Sequence, residues 1–205
     1  IGLPLPEIAA RVMAGARLAD LGVPLDPKPM MWHVKSPVFP FNKRPGADPV
    51  LGPEMKSTGE VMGSGHSFGI AYAKAYRACG YELPRRGTAF ISVNDRDKAA
   101  VVDLARALYQ LEFDLVATSG TAAILRRHGL EVTVVKKRHE GSPNIAEAIS
   151  QGEIALVINT PIGKESHLDD RYLRWEALKW NIPCITTLSA ARALVEAIRS
   201  IKAER

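Results

Sequence analysis

Short apolar runs, rich in β-branched residues, recur along residues 87–205 and are separated by segments with helical spacing. The five runs predict strands at 89–93, 114–117, 131–135, 154–158 and 183–186. Strands that alternate with helices form parallel sheets whose two faces are both covered. We therefore predict an α/β fold with a five-stranded, parallel, doubly wound sheet of Rossmann-like type.

The helical segments of this part have recognisable faces and ends. Apolar residues follow the spacing of one helix face at 101, 104, 105 and 108, and again at 190, 194, 197, 198 and 201. Gly129 stands where a helix C′ residue is expected. Ser142 and Pro143 are a suitable N-cap and first residue for a helix that continues to Ile149.

Residues 1–84 have a less regular pattern, rich in Pro and Gly. The pattern predicts a helix around residues 8–16, an extended run at 32–39, a helix at 67–79 and a linker at 81–86. Pro37 and Pro40 would remove hydrogen-bond donors from a central strand. We therefore expect residues 34–39 at a sheet edge, paired with sequence outside this chain.

The composition allows a folded core and excludes several classes of protein. The 205 residues are 46% hydrophobic and carry a formal net charge of +5, which favours acidic partners without identifying one. Two cysteines are too few for a disulfide scaffold, so we expect a reducing, cytoplasmic location. No apolar stretch approaches the roughly 20 residues of a membrane helix, and we expect no membrane association. Because the chain opens at Ile1 and enters an apolar, Pro-rich run, we interpret it as part of a longer polypeptide.

Polar residues follow most of the predicted strands, at the edge where doubly wound sheets bind ligands. Ser92, Asn94 and Asp95 end the first strand, and Lys98 lies in the first turn of the next helix. A cation at that position opposes the helix dipole by about 0.3–1 kcal/mol, and a bound anion would reverse the sign. The alternative, which Lys98 alone leaves open, is that its side chain points into water.

The turn after the second strand combines hydroxyl groups with the start of a helix. Thr118, Ser119, Gly120 and Thr121 place hydroxyls and unpaired backbone N–H groups at a positive helix terminus, which suits a phosphate. In the alternative interpretation, Thr118 or Ser119 is only an N-cap and Gly120 only permits a tight turn.

The third and fourth strands end in basic and amide groups. Lys137 belongs to the basic run 136–138, which either supplies counter-charge to a ligand or is a solvated surface. Asn159 and Thr160 follow the fourth strand and could bind a base, a sugar or a phosphate oxygen. These loops contain no nucleophile paired with a base, so we predict no catalytic residue and no metal site.

Four stretches resemble the C-terminal end of the large subunit of carbamoyl-phosphate synthase. The stretches 9–15 (AARVMAG) and 39–63 (FPFNKRPGADPVLGPEMKSTGEVMG) are similar to the tail of that subunit's second ATP-grasp component. The stretches 117–122 (ATSGTA) and 137–145 (KRHEGSPNI) are similar to the methylglyoxal-synthase-like domain that follows it. The resemblance covers essentially the whole chain.

This resemblance implies an α+β fragment of the ATP-grasp component at 1–84 and a methylglyoxal-synthase-like allosteric domain at 87–205. The parent enzyme would make carbamoyl phosphate from bicarbonate, glutamine-derived ammonia and MgATP, with Mg or Mn and K, for pyrimidine and arginine biosynthesis. The metal ligands of the family would lie upstream of Ile1, so we expect no cofactor in this fragment. Expected partners are the rest of the large subunit and the glutaminase small subunit, and homo-oligomer contacts stay open.

In bacterial relatives the methylglyoxal-synthase-like domain binds a nucleotide monophosphate such as UMP or IMP. The effector-binding residues expected here are Ser92, Lys98, Thr118, Ser119, Thr121, Lys137, Asn159 and Thr160. One further hydroxyl of the family pattern is Pro161 here, and the adjacent Thr160 is its substitute. The resemblance implies that Lys98, Lys137 and the turn 118–121 converge on one anion.

Two other activities of the family are affected by substitutions. Ornithine activation uses an acidic residue where this chain has Ser36, although Asp169 and Thr186 match the rest of that site. Methylglyoxal synthase uses an aspartate where this chain has Thr160, and a neutral hydroxyl cannot act as a general base near pH 7. We therefore expect no lyase activity, whereas an ornithine response with Ser36 in place of the carboxylate stays an open alternative.

Several other interpretations are weaker. Residues 65–69 (GHSFG) match the G-x-S-x-G motif of hydrolases, but the polar, glycine-rich residues 56–63 are not expected to form the strand that the motif requires. The histidines lack zinc-ligand spacing, and the basic residues lack the interleaved aromatics of a nucleic-acid surface. The remaining rivals are a methylglyoxal-synthase-type lyase and a subunit-oligomerisation module without ligand.

Overall fold

The computed structural model describes residues 2–24, 26–39, 55–160 and 167–204, with side chains for all of these except 167–169. Pro40, Pro161 and the side chain of Asp169, which the sequence analysis singled out, lie outside the described residues. None of the helices in the described ranges combines the length and apolar character that a transmembrane span requires.

A parallel sheet forms the centre of residues 87–203 and confirms the predicted α/β fold. Its strands are β3 (Gly87–Ser92), β4 (Phe113–Ala117), β5 (Thr133–Val134), β6 (Ile154–Asn159) and β7 (Cys184–Ile185). They lie in the order β5-β4-β3-β6-β7, with every neighbouring pair parallel. The chain therefore changes direction of winding between β3 and β6, which is where doubly wound sheets bind ligands.

Helices cover both faces of this sheet. They are α3 (Val101–Gln110), α4 (Ser119–Arg127), α5 (Ile145–Ser150), α6 (His167–Lys179) and α7 (Leu188–Ala203). Because side chains alternate along a strand, Ala89 and Ile91 of β3 pack with α3, α4 and α7, whereas Phe90 packs with α5 and α6. Both faces of β3 are consequently buried.

The ends of two helices test the capping predictions. After α4, Gly129 has φ 78°, and the N–H groups of Gly129 and Leu130 bond to the carbonyls of Arg126 and Leu125, as predicted for a C′ glycine. The prediction that Ser142 caps α5 is wrong. Asn144 is the N-cap, and its side chain accepts hydrogen bonds from two backbone N–H groups of the first turn. An Asn carbonyl is as good a cap as a Ser hydroxyl, and it stands closer to the helix.

The first part of the chain contains α1 (Leu5–Met13), β1 (Trp32–Val38), β2 (Gly59–Gly65) and α2 (Phe68–Ala78). A short 3₁₀ helix spans Leu18–Leu21. The expectation that β1 pairs with sequence outside the chain is wrong, because β1 pairs antiparallel with β2. The expectation that residues 56–63 form no strand is also wrong, because most of them belong to β2.

Helix α2 joins the first part to the domain that follows. It packs against α7 so closely that a Cβ built on Gly69 would lie 2.7 Å from the carbonyl oxygen of Glu196. Ser67 caps α2 and accepts a hydrogen bond from the Ile70 N–H at 3.3 Å. Residues 65–69 do lie between a strand and a helix, as the G-x-S-x-G motif of hydrolases requires. The Ser67 hydroxyl nevertheless has a structural role, because it caps α2. The division into 1–84 and 87–205 stays a prediction.

Candidate functional site

A cleft that is partly open to solvent lies at the carboxyl ends of the strands, on the face that α5 and α6 cover. Ser92 follows Phe90 on this face, because side chains two apart in a strand point the same way. The cleft is lined by Phe90, Ser92, Thr118, Lys137, Arg138, Ile145, Ala146, Asp170, Tyr172 and Leu173. Its walls are thus partly apolar and partly made of hydroxyl, ammonium, guanidinium and carboxyl groups.

The hydroxyl of Thr118 turns into the sheet and does not cap α4. Thr118 stands at the N-cap position, yet none of the described side chains caps this helix. Its Oγ1 instead donates to Ser92 Oγ at 3.3 Å. By contrast, Thr187 and Ser67 cap α7 and α2 in the usual way. The interpretation of Thr118 as only an N-cap is therefore wrong, and the first turn of α4 keeps N–H groups without a side-chain acceptor.

Lys98 lies against the start of α4. A Cβ built on Gly120 would come within 3.2 Å of Lys98 Nζ, so the glycine leaves room for the ammonium group. Lys98 also pairs with Asp95, with Nζ 2.6 Å from Oδ1, and this bond and charge hold the pKa of the Asp95 carboxyl below its ordinary value. The alternative in which the Lys98 side chain simply points into water is therefore wrong, because the side chain lies beside the start of α4.

The basic residues after β5 have different surroundings. Lys137 is half-buried and lines the cleft, whereas the ammonium group of Lys136 donates to the carbonyl of Ser142 at 3.3 Å. Arg138 stacks over the ring of Tyr172, with Cζ 4.0 Å from the ring centroid. Partial burial, together with a hydrogen bond to Glu176, raises the pKa of Tyr172, so its phenol is neutral at physiological pH.

Three of the predicted site residues are held inside the protein. Asn159 is fully buried, and its Nδ2 donates to the carbonyl of Ser92 at 3.4 Å. Thr121 Oγ1 accepts from the Val93 N–H at 3.4 Å. Thr160 Oγ1 accepts from both the backbone N–H and the side-chain amide of Asn94, at 3.0 and 3.1 Å. These side chains connect the strand ends to their loops, and none of them lines the cleft.

The predicted residues therefore fall into separate groups. The structure brings Ser92, Thr118 and Lys137 together in the cleft, with Lys98 beside the neighbouring helix start. Ser119 is exposed at the first position of α4. Asn159, Thr121 and Thr160 form the layer behind the cleft.

The sequence analysis missed the contribution of α6. Asp170 and Arg174 are 6% and 1% exposed, and Arg174 Nη1 donates to Asn159 Oδ1 at 2.8 Å. Tyr172 lies between them in sequence and lines the cleft. The spacing of Asp170 and Arg174, four residues apart, is the signal that could have identified them, because such pairs share a helix face.

A second pocket, of about 240 Å³, lies between the first part and the sheet. It contains Ser36 and Thr186, the two positions that the sequence analysis compared with an ornithine site, together with both cysteines. The Cys79 thiol donates to Ser36 Oγ at 3.4 Å. Most of its other described lining residues are apolar or aromatic, including Phe39, Tyr76, Tyr81 and Ile185.

Residues 100–186 match the family model described as an MGS-like domain, in agreement with the parallel α/β sheet of this part of the chain. The chain thus carries an MGS-like domain after an α+β segment. Comparison with curated proteins then identifies its relatives as carbamoyl phosphate synthase large chains, which confirms the resemblance found in the sequence.

The similarity extends over nearly the whole chain. It is 52% identical, over 98% of its length, to the carbamoyl phosphate synthase large chain, C-terminal section, of Methanopyrus kandleri, and covers 38% of that protein. It is 50% identical to the large chains of Synechocystis sp. and Pseudomonas putida, over 98% and 97% of its length, and covers 19% and 18% of them. The chain thus spans between about one fifth and two fifths of these relatives. A crystal structure of methylglyoxal synthase from Elizabethkingia anophelis NUHP1 matches with a TM-score of 0.46 and 22% identity, covering 55% of this chain and 79% of that one.

Proposed function

We propose that this chain is the regulatory C-terminal region of a glutamine-dependent carbamoyl-phosphate synthase large chain, and that its cleft binds a nucleoside monophosphate such as UMP or IMP. The whole enzyme would use MgATP as an ATP-dependent ligase, with the glutaminase small subunit as its partner. The fragment itself supplies the effector site and no catalytic group.

The observation that carries this proposal is the arrangement at the start of α4. The Thr118 hydroxyl bonds to Ser92 and does not cap the helix, so the N–H groups of the first turn stay available to an anion. Lys98 lies beside Gly120, and Lys137 lines the same cleft as Thr118. Two cations, two hydroxyls and a helix terminus are what a phosphate dianion binds in proteins.

The rest of the cleft suits the remainder of a nucleotide. Phe90, Ile145 and Leu173 supply an apolar wall, and Tyr172 supplies an aromatic ring at the rim. A lyase of the methylglyoxal synthase type is the alternative, but Thr160 accepts two hydrogen bonds from Asn94 where that enzyme needs a base. An oligomerisation module without ligand would leave the cationic cleft without a purpose.

The test measures ligand-induced stabilisation of the 205-residue chain. At 100 times its dissociation constant, an effector adds about 2.7 kcal/mol to the free energy of unfolding. For a chain of this size, that raises the Tm by about 5–11 °C.

Lys137→Gln should weaken binding about 10-fold or more, because it removes a charge-assisted contact. Lys136→Gln is the matched control and should bind the effector normally, because the wild-type Lys136 ammonium group bonds to the Ser142 carbonyl outside the cleft.

Absence of any Tm increase with UMP, IMP and inorganic phosphate at millimolar concentration would refute the proposal. Turnover of dihydroxyacetone phosphate would support the lyase instead. Assembly into a defined oligomer, with no response to any phosphorylated compound, would support the oligomerisation module. Equal weakening by the Lys136 and Lys137 variants would mean that only general charge matters.

A further inference from the structure

We infer that Arg138 and Tyr172 make the cleft selective for phosphate esters that carry a planar base, because the base replaces the guanidinium group of Arg138 on the ring of Tyr172. This selectivity rests on the proposed function and concerns the part of the ligand beyond its phosphate. Both side chains line the cleft, Arg138 from the turn after β5 and Tyr172 from α6.

The Arg138 and Tyr172 side chains meet across the cleft. Arg138 follows β5, and α6, which carries Tyr172, follows β6. Strands β4 and β3 lie between β5 and β6 in the sheet, and they end next to Thr118 and at Ser92. The guanidinium carbon of Arg138 is 4.0 Å from the centroid of the Tyr172 ring, so the two groups are in direct contact. The pair therefore bridges the part of the cleft that contains its hydroxyl groups.

The cleft is too small for a nucleotide while this pair is in contact. Its volume is about 20 Å³, which is close to the space that one water molecule needs. Sites for small organic ligands usually have volumes of about 300 Å³ or more. The two walls must therefore separate before a phosphate ester can enter. Because the contact between Arg138 and Tyr172 joins the walls, entry of the ligand breaks it.

Tyr172 is the more firmly held of the two side chains. Its hydroxyl bonds to Glu176, one turn further along α6, and the next residue, Leu173, is buried in the core. Arg138 is exposed, and none of the carboxyl groups in the described ranges forms an ion pair with it. An exposed contact between a guanidinium group and an aromatic ring is favoured only about 2- to 5-fold. Arg138 is thus the side chain that leaves when the cleft opens.

A planar base stabilises the opened cleft because it stacks on the ring that Arg138 leaves. Stacking of a base on an aromatic side chain increases affinity about 5- to 150-fold. This gain equals or exceeds the loss of the contact between Arg138 and Tyr172. A sugar phosphate has no planar group, so it opens the cleft without this compensation. The cleft consequently favours nucleotides over sugar phosphates.

The quantity to measure is the affinity for UMP divided by the affinity for ribose 5-phosphate, from calorimetric titration of the 205-residue chain. Both ligands carry the same phosphate group, so the effect of a substitution on phosphate binding cancels in this ratio. In the wild type the ratio should be about 5 or more. Dihydro-UMP keeps the hydrogen-bonding groups of UMP on a saturated, non-planar ring, and it should bind more weakly than UMP.

Two variants separate the roles of the paired side chains. Tyr172→Leu keeps an apolar side chain but removes the ring, so the ratio should fall about 5-fold or more. Arg138→Gln removes the group that the base displaces, so the ratio should stay the same or rise. The matched controls are Tyr109→Leu, on the exposed side of α3, and Arg199→Gln, which alters an exposed ion pair on α7. Neither control should change the ratio.

An unchanged ratio in Tyr172→Leu would overturn the inference. So would an equal fall in Arg138→Gln, because Arg138 would then bind the base itself instead of giving way to it. Should Y172L fail to fold, the wild type decides: equal affinities for UMP and dihydro-UMP would show that the base does not stack. A wild type that binds ribose 5-phosphate as tightly as UMP overturns the selectivity alone, whereas one that binds no phosphorylated ligand refutes the proposed function as well.

Discussion

Replacement of Gly69 by alanine is a direct test of how the two parts of the chain are joined. Gly69 lies in the first turn of α2, where it contacts α7. A Cβ at this position would be 2.7 Å from the Glu196 carbonyl oxygen and 2.8 Å from Ser200 Cβ, and it would also collide with Ser200 Oγ. Carbon atoms do not approach carbonyl oxygen or carbon this closely, so α2 and α7 must move apart.

The size of the effect follows from two opposing contributions. Overpacking of a close contact costs about 1–3 kcal/mol. A Gly to Ala change inside a helix recovers up to about 1 kcal/mol of backbone propensity. Together they give a net destabilisation between about 0 and 3 kcal/mol. Because one of the colliding atoms is a backbone oxygen that cannot rotate away, we expect about 1–2 kcal/mol, which for a chain of this size corresponds to a Tm lower by about 2–8 °C.

Urea unfolding monitored by tryptophan fluorescence gives the free energy of unfolding for the variants. Gly59→Ala is the matched control, since nothing lies within 4 Å of a Cβ built there. Combining Gly69→Ala with Ser200→Gly removes two of the colliding atoms, so the double variant should lose less stability than the two single changes added together. A Gly69→Ala protein as stable as the wild type, or more stable, would refute the close approach of α2 and α7.

Two further predictions concern the loops around the cleft. Asn144→Ala should destabilise the protein by about 0.5–2 kcal/mol, because two N–H groups of α5 lose their acceptor. Ser142→Ala should cost less. If thermal melts show a larger loss for the Ser142 variant, Ser142 would be the cap after all. Lys98 keeps the Asp95 carboxylate ionised to lower pH than usual, so its contribution to stability is present above the unfolded pKa and is lost as the pH falls through the lowered folded pKa. An NMR titration should therefore give Asp95 a midpoint below that of ordinary aspartates, and Lys98→Gln should raise it; an unchanged midpoint would mean that the ion pair is not formed in solution.

The parallel sheet and the grouping of its polar ends could be predicted because both follow from local patterns. β-branched runs identify the strands, and the carboxyl ends of parallel strands meet at one edge. That rule is sufficient to bring Ser92, Thr118 and Lys137 together. It cannot say which side chains face outward, because that depends on contacts such as the bond from Asn94 to Thr160.

The strand β2 could not be predicted because its glycines resemble a loop. Their reason is tertiary: a Cβ on Gly65 would lie 2.7 Å from the Ile70 side chain, and one on Gly63 would collide with the backbone of α2 at Ala71 and Ala75. Glycine in a strand here marks the close approach of a helix, which a single sequence does not reveal. The inward-facing charges of α6 were hidden in the same way, since buried Asp170 and Arg174 bond to Asn159, which lies on a different element, strand β6.

The division of the site residues into two layers determines how their variants should be interpreted. Thr118 and Lys137 line the cleft, so changes there should alter the affinity for a ligand more than the stability of the fold. Asn159 and Thr160 are buried at 0% and 2% exposure and satisfy backbone and side-chain groups of the neighbouring loop, so removing them leaves buried polar atoms unpaired. A loss of ligand binding in those variants therefore reports the position of Ser92 and its neighbours, and only the first group measures contact with the effector.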